Sequence, residues 1–333
     1  MYYGVIKINL RGSYGGIESY RRVKKYNKRN KYNKNKRIFR RVIFIVSLSA
    51  LVAIIGIKSQ FSKEGMKLSD EIVTYYINET DSVSDEKLQL SWKEVAAIDL
   101  ELNNGEENLN NSDGVKKIAE MFFEYDEEEK VSEIKSFNEV LNEVGLKSEE
   151  KENAYKYLVK IEKNYLNRNL INEKNKMKFI SDIEEDAKNN YEEYGILPSI
   201  TMAQAILESA WGESTLSSEH NNLFGIKADD RWNGKKVNME TKENYDDVIE
   251  DYFRVYASYE SSVEDHGKFL SENSRYRNNG IFDKKTYKGQ AQALEDAGYA
   301  TAKNENGELI YADSLINVIQ KNNLMLYDTE VQR

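Results

Sequence analysis

Gln204, Glu208 and Trp211 are spaced at i, i+4 and i+7 in the run Gln204-Ala-Ile-Leu-Glu208-Ser-Ala-Trp211-Gly212, so on a helix they share one flank. Ala203, Ile206, Leu207 and Ala210 fall beside them on an apolar face that should be buried. Pro198 suits a first turn and Gly212 a C′ position, so the spacing predicts a helix over 198–211. A glutamate at that edge is partly buried and lies one turn from the negative end of the helix dipole, and both effects disfavour its carboxylate. A carboxylic acid kept protonated near neutral pH can give its proton to a leaving oxygen, including a glycosidic one. A glutamate on a helix flank is most often a solvated surface residue, so the assignment depends on its surroundings.

Composition removes several rival chemistries. The 333 residues contain no cysteine, which excludes disulfides, thiolate zinc sites and a cysteine nucleophile. Two histidines, His220 and His266, leave little material for a histidine metal site or a Ser-His-Asp triad. His266 follows Asp265, and a core hydrogen bond is the plainer reading of that pair than a catalytic dyad. Asp229-Asp230 and Asp246-Asp247 do not fit an EF-hand loop, so neither a metal nor a cofactor is expected. Carboxylates are abundant at 57.

Charge divides the chain. Residues 1–41 carry fourteen Lys/Arg and one acid, Glu18, whereas the rest carries 34 basic and 56 acidic residues, a split of +13 against −22 within a net −9. Between the two lies Val42 to Ile57, sixteen residues without a charge. As a helix this run predicts an uncleaved signal anchor in preference to a cleaved signal peptide, since no clean small-x-small site follows it and the basic segment is long. Its basic flank predicts a cytoplasmic N-terminus and an exported remainder, that is, a single-pass protein of the cell membrane. The basic tail is explained by topology and anionic lipid, so no nucleic-acid partner is expected.

Beyond the anchor, 58–69 reads as a polar stalk and 70–166 as a helical domain. Val95, Ala96, Ile98 and Leu102, then Ile118, Met121 and Phe122, stand at helix spacing, and Asp126 to Lys130 is a solvated turn or helix end. A second domain runs over 177–328, with helices at 179–194, 198–211, 262–272, 287–297 and 311–322. Val237 to Tyr256 has strand-type residues around a polar centre and predicts a hairpin or irregular lobe.

Several separated words of this second domain occur in a telling order. They are Ala205-Ile-Leu-Glu-Ser-Ala-Trp-Gly-Glu-Ser214, Asn221-Asn-Leu-Phe-Gly-Ile-Lys227, Phe253-Arg-Val-Tyr256, Asp265-His266, Asn273-Ser-Arg-Tyr276, Ala297-Gly-Tyr-Ala-Thr301 and Tyr311-Ala-Asp-Ser-Leu-Ile316. The series resembles glycoside hydrolase family 73, bacterial peptidoglycan N-acetylglucosaminidases, over residues 177–325. The resemblance implies a mainly α, lysozyme-like domain with a small β-lobe, here preceded by a second helical domain and one N-terminal transmembrane helix. It implies endo cleavage of β-1,4 bonds after N-acetylglucosamine in peptidoglycan strands. It places the general acid at Glu208 and a second carboxylate in a Thr-x-Glu-Tyr word, whose nearest match is Thr241-Lys-Glu243-Asn-Tyr245. One extra residue before the tyrosine leaves Glu240 and Asp246 as rivals to Glu243. The second carboxylate would activate water, as in an inverting enzyme, or the substrate's own acetamido group would assist.

The same resemblance puts Tyr299 beside the acid; Asn222, Phe224 and Gly225 are read as shaping the groove wall rather than doing chemistry, and Gln204 and Trp211, on the flank of Glu208, as facing substrate. Arg254, Tyr256 and Trp232 bind sugar or pack. In the first domain, Leu90 to Glu101 is faintly similar to the acid helix of two-headed wall hydrolases. Glu101 would then be an acid, with Asp113 or Glu124 as partner, giving an added muramidase. An inactive helical spacer is the plainer reading, and an inert wall-binding scaffold is the non-enzymatic alternative.

Overall fold

In the computed structural model the described residues are 68–165, 174–243 and 247–333. The basic tail, the apolar run 42–57 and the stalk up to residue 67 lie outside them, and so does Asp246. No helix among the described residues is long and apolar enough to cross a membrane.

Short polar caps set where the helices begin. The helices of the first half are α1 (Asp70–Ser84), α2 (Trp92–Leu102), α3 (Ser112–Glu120), α4 (Phe137–Glu143) and α5 (Ser148–Tyr165). Ser69 Oγ accepts from the Ile72 amide at the start of α1, and Ser136 with Glu139 forms a capping box on α4. The helical pattern read across this half misses one hairpin, β1 (Phe123–Tyr125) against β2 (Val131–Ile134). Asp126 makes the turn, its Oδ1 accepting from the amides of Glu128 and Lys130 at 2.9 Å each. Strands of three and four residues are too short for a periodic signal, which is why the charge run alone was visible.

The second half contains α6 (Lys174–Tyr194), α7 (Pro198–Ser209), α8 (Thr215–His220), β3 (Lys236–Glu243), β4 (Asp247–Arg254), α9 (Tyr259–Glu272), α10 (Ser274–Asn278), α11 (Tyr287–Asp296), α12 (Tyr311–Asn322) and α13 (Met325–Gln332). α7 is the central element, in contact with α6, α11, α12 and α13. Ile200, Met202, Ala203, Ala205 and Ile206 are buried on it. Each large apolar side chain so buried contributes about 1.5–3 kcal/mol, and the alanines let neighbouring helices approach. β3 and β4 form the expected hairpin, antiparallel from Lys236 opposite Arg254 to Glu243 opposite Asp247.

The described residues belong to one compact unit, in which the helices of the first and second halves share buried polar contacts. The Trp92 indole donates to Asn323 Oδ1 at 3.1 Å. Buried Asp81 accepts from the Tyr287 hydroxyl, from the Gln89 amide at 3.0 Å and from Lys288 Nζ at 2.9 Å. Arg333 grips Glu94 with two bonds of 3.0 and 2.6 Å. Leaving any of these groups unpaired in the core would cost about 1–3 kcal/mol.

Asp328 on α13 reaches the first turn of α7, where it accepts from the Ser199 amide at 2.9 Å and the Ser199 hydroxyl at 2.5 Å. Complete burial outweighs those two bonds and pushes its carboxyl up to about 8. The folded chain therefore holds a proton there that the unfolded chain releases above about 4. Folding stability should fall as pH rises from about 4 to about 8. Urea melts across that range should show the fall, and Asp328→Asn, which mimics the protonated acid, should flatten it.

Candidate active site

α7 supplies Gln204 and Glu208 from successive turns, as their spacing predicts. α12 supplies Tyr311 from its first position, and the turn after α11 supplies Tyr299. The Gln204 amide donates to the Tyr311 hydroxyl at 3.0 Å, and that hydroxyl donates to Glu208 Oε1 at 3.2 Å. The Tyr299 ring stacks on Tyr311 at 5.2 Å and 13°. Tyr276 leans on Tyr299 at 6.0 Å.

Glu208 is open to solvent, yet the surrounding protein is dense enough that desolvation raises its carboxyl above the ordinary glutamate range, and the Tyr311 hydrogen bond offsets part of the rise. Accessible to a ligand and inclined to keep its proton, it has the properties of a general acid. Tyr299 and Tyr311 are both pushed well above the ordinary tyrosine range, chiefly by burial and then by neighbouring charge including Glu208. Both phenols stay neutral, so Tyr311 remains a donor toward Glu208. Tyr311 was not foreseen as a site residue. Its signal was present in the word Tyr311-Ala-Asp-Ser, because a buried tyrosine hydroxyl needs a partner.

The helix around the acid departs from expectation at its end. It stops at Ser209, two residues short of Trp211, and Ala210, Trp211 and Gly212 follow at φ of 50°, 63° and 79°. Buried Ser209 fixes this exit: its hydroxyl donates to the Ala205 carbonyl at 2.5 Å and accepts from the Gly212 amide at 2.7 Å. Trp211 therefore leaves the flank of Glu208. It meets Phe179 of α6 edge-on at 6.2 Å, with Lys176 Nζ 5.1 Å from its ring centre, and is a packing residue here. At Gly212 a Cβ would meet the Phe179 ring at 2.8 Å, so both the left-handed φ and the contact require glycine. Leu207, read as buried, is 38% exposed.

Asn222 and Phe224 also take structural roles. Asn222 is buried, donates to the carbonyls of Ile226 and Arg254 at 3.0 and 2.9 Å, and accepts from the Ile226 amide at 3.1 Å. Every side-chain bond it makes ties the 222–226 loop to itself or to β4. Phe224 is stacked on His266 at 3.9 Å. His266 makes no hydrogen bond through either ring nitrogen, and burial lowers it to about 3, so the ring is neutral. The core hydrogen bond expected for it does not form, because the Asp265 carboxylate instead accepts from Arg254 at 2.7 Å and Tyr256 at 2.6 Å. Arg254 lies over the half-exposed Trp232 at 4.7 Å.

On the lobe, Glu243 stands opposite Asp247 at the end of the hairpin, and exposed Glu240 stands opposite Glu250. The two are at register positions of opposite parity. No group of acids or histidines among the described residues could hold a metal ion.

In the first half, Glu101 faces α5, where the Asn153 amide reaches it at 3.5 Å. Asp113 and Glu124 are exposed, and no contact among the described residues brings either to Glu101. A cavity of about 390 Å³ there is lined by Asp99, Leu102, Ile118 and Met121 among others, but not by Glu101. Asp99 accepts from Tyr76, Asn103 and Asn111 at 2.7, 3.0 and 3.1 Å, which makes it a buried tie between three helices.

Tyr311→Phe removes a donor that favours the carboxylate form, so carbon-13 carboxyl NMR should find Glu208 titrating at higher pH than in the parent. Asn222→Ala takes the side-chain partner from the Ile226 amide and the Arg254 carbonyl, while the Ile226 carbonyl keeps the Arg254 amide, and should lower stability by about 1–3 kcal/mol in urea unfolding.

Residues 184–324 match the family described as mannosyl-glycoprotein endo-beta-N-acetylglucosaminidase. The exo-glucosaminidase LytG of Bacillus subtilis (strain 168) is 36% identical over 156 residues, which is 45% of this chain and 52% of that protein. The peptidoglycan hydrolase FlgJ of Vibrio parahaemolyticus is 33% identical over 149 residues, covering 43% of this chain and 46% of FlgJ. The catalytic domain of the autolysin Auto from Listeria monocytogenes is 35% identical, with 46% of this chain and 87% of that chain covered and a TM-score of 0.40. The chain spans about half the length of the curated relatives it matches. Its residues 184–324 are a glucosaminidase-family domain.

Proposed function

We propose that the chain is a glycoside hydrolase that cuts β-1,4 bonds after N-acetylglucosamine in peptidoglycan strands, with Glu208 as general acid. The observation that carries this reading is a solvent-accessible carboxyl raised by its surroundings and held through one oxygen by a neutral tyrosine hydroxyl. Protonated Glu208 gives its proton to the glycosidic oxygen as the bond to the anomeric carbon breaks. Glu243, from the β3–β4 lobe, activates the water that attacks the opposite face of the sugar, or the acetamido oxygen of the substrate takes that part. No metal or cofactor is needed for either route. The names of the relatives, an exo-glucosaminidase and peptidoglycan hydrolases, support the substrate class. We further propose that Val42 to Ile57 anchors the chain in the cell membrane, with the hydrolase outside, as the charge split across that run suggests.

Digestion of purified glycan strands by the full chain, with the new ends identified by mass spectrometry, tests the reaction. Reducing N-acetylglucosamine at internal cuts is the expected product. Sugars released only from chain ends would make it an exo enzyme, and reducing N-acetylmuramic acid would transfer the chemistry to another bond. Glu208→Gln should lower the rate about 10²–10⁴-fold, and full activity in that variant would sink the assignment. Activity should fall as pH rises past the raised value of Glu208, since only its protonated form donates, and Tyr311→Phe should move that limb upward. Single changes at Glu240, Glu243 and Asp246 identify the second carboxylate by the one that costs most.

A further inference from the structure

Five arginines fall among the described residues, and three of them pair with carboxylates. Arg231 binds Asp229, Arg254 binds Asp265 and Arg333 binds Glu94. Arg275 and Arg277, both on α10, have no carboxylate partner among the described residues and are exposed. Past residue 41 acids outnumber bases 56 to 34, and the other three described arginines each take a carboxylate from that excess.

Arg275 is fixed in place without a carboxylate. Its Nη1 donates to the Gly298 carbonyl at 3.3 Å, its Nη2 donates to the Tyr276 hydroxyl, and the guanidinium lies 4.6 Å from the Tyr276 ring centre. Two of its five N–H donors are thereby used, and the others remain available. A guanidinium already held by two bonds and a ring loses little further freedom on binding an anion. Its place is tied to the acid by consecutive contacts. Tyr276 leans on Tyr299, Tyr299 stacks on Tyr311, and the Tyr311 hydroxyl reaches Glu208. Arg275 also touches Gly298, the residue before Tyr299. The aromatic series thus has the acid at one end and an unpaired, immobilised cation at the other. Arg277 turns elsewhere, donating to the Ser271 carbonyl at 2.9 Å and lying 5.6 Å from the Phe282 ring centre.

We propose that Arg275 is a specificity-determining residue of this site, binding a carboxylate carried by the substrate some sugars away from the cleaved bond. Peptidoglycan offers that group in two places, the lactyl ether of the muramyl sugar and the stem peptide. A plain N-acetylglucosamine polymer offers none. The inference rests on the glycosidase reading above.

The test measures kcat/KM of the full chain on glycan strands with free carboxylates and on the same strands after carbodiimide amidation. Peptide-free strands report the lactyl group, and peptide-bearing strands report the stem. The parent should prefer the carboxylated form about tenfold in at least one pair, the scale of one charge-assisted hydrogen bond. In Arg275→Gln that ratio should approach one, and Arg275→Lys should retain part of it. A purely structural role for Arg275 would lower both rates together and leave the ratio at its parent value, which overturns the proposal. A parent without preference in either pair overturns it as well. Failure of the parent to cut any strand would instead refute the glycosidase reading, so the two failures are distinct.

Discussion

The bond from the Tyr311 hydroxyl to Glu208 joins the two helices on which this site depends. It fixes one oxygen of the carboxyl and leaves the other for a ligand. Its partner on the far side is Gln204, one turn earlier on the same helix as the acid, so α7 contributes both ends of the arrangement and α12 the middle. Two influences oppose each other at Glu208. Desolvation favours the protonated acid, the tyrosine favours the carboxylate, and desolvation is the larger. A buried tyrosine with a strongly raised pKa stays a reliable donor, so the balance does not shift within the ordinary pH range.

That contact requires α7 and α12 to be held at a fixed separation, and the wider fold provides this. α13 ties into the first turn of α7 through Asp328, and α11 is bound to α12 through Tyr287 and Gln320. The first-half helices enter the same framework, because Asp81 on α1 accepts from Tyr287 and Trp92 on α2 binds Asn323 just after α12. Segment 70–166 is in this sense structural support for the helices that carry the site. Its own acids do not converge: Glu101 turns to α5 while Asp99 serves as a tie.

The exit from α7 is where local chemistry overrides helical periodicity. Three consecutive left-handed residues after the acid are costly for alanine and tryptophan, and they persist because Ser209 hydrogen bonds fore and aft and Trp211 gains an aromatic contact with Phe179. Strain beside an acid is common at sites that must hold one geometry. Here its effect is to turn the chain off the line of α7 after Ser209, which takes Trp211 away from the flank of Glu208.

Much of this was legible in the residues alone. The 3.6-residue pattern located α7, α11 and α12, and it placed Gln204 and Glu208 together, because i and i+4 positions on a helix are neighbours whatever surrounds them. The strand-type residues around a polar centre located the β3–β4 hairpin for the same local reason. The contacts that Trp211, Asn222 and Phe224 make within the protein were not legible, because residue type does not reveal which partner a side chain finds. An indole three residues past an acid faces the same side only if the helix continues, and here a serine ended it. An asparagine in a loop can bind a ligand or close the loop, and the nearby carbonyls of Ile226 and Arg254 decided for closure. Tyr311 lay 103 positions from Glu208, beyond any periodic signal. The sequence by itself determined which helix bears the acid and which face it occupies, since those follow from local spacing. Only the tertiary structure decided which hydroxyl holds that acid and which of the described arginines find a carboxylate, since those depend on long-range packing that brings distant segments within hydrogen-bond reach.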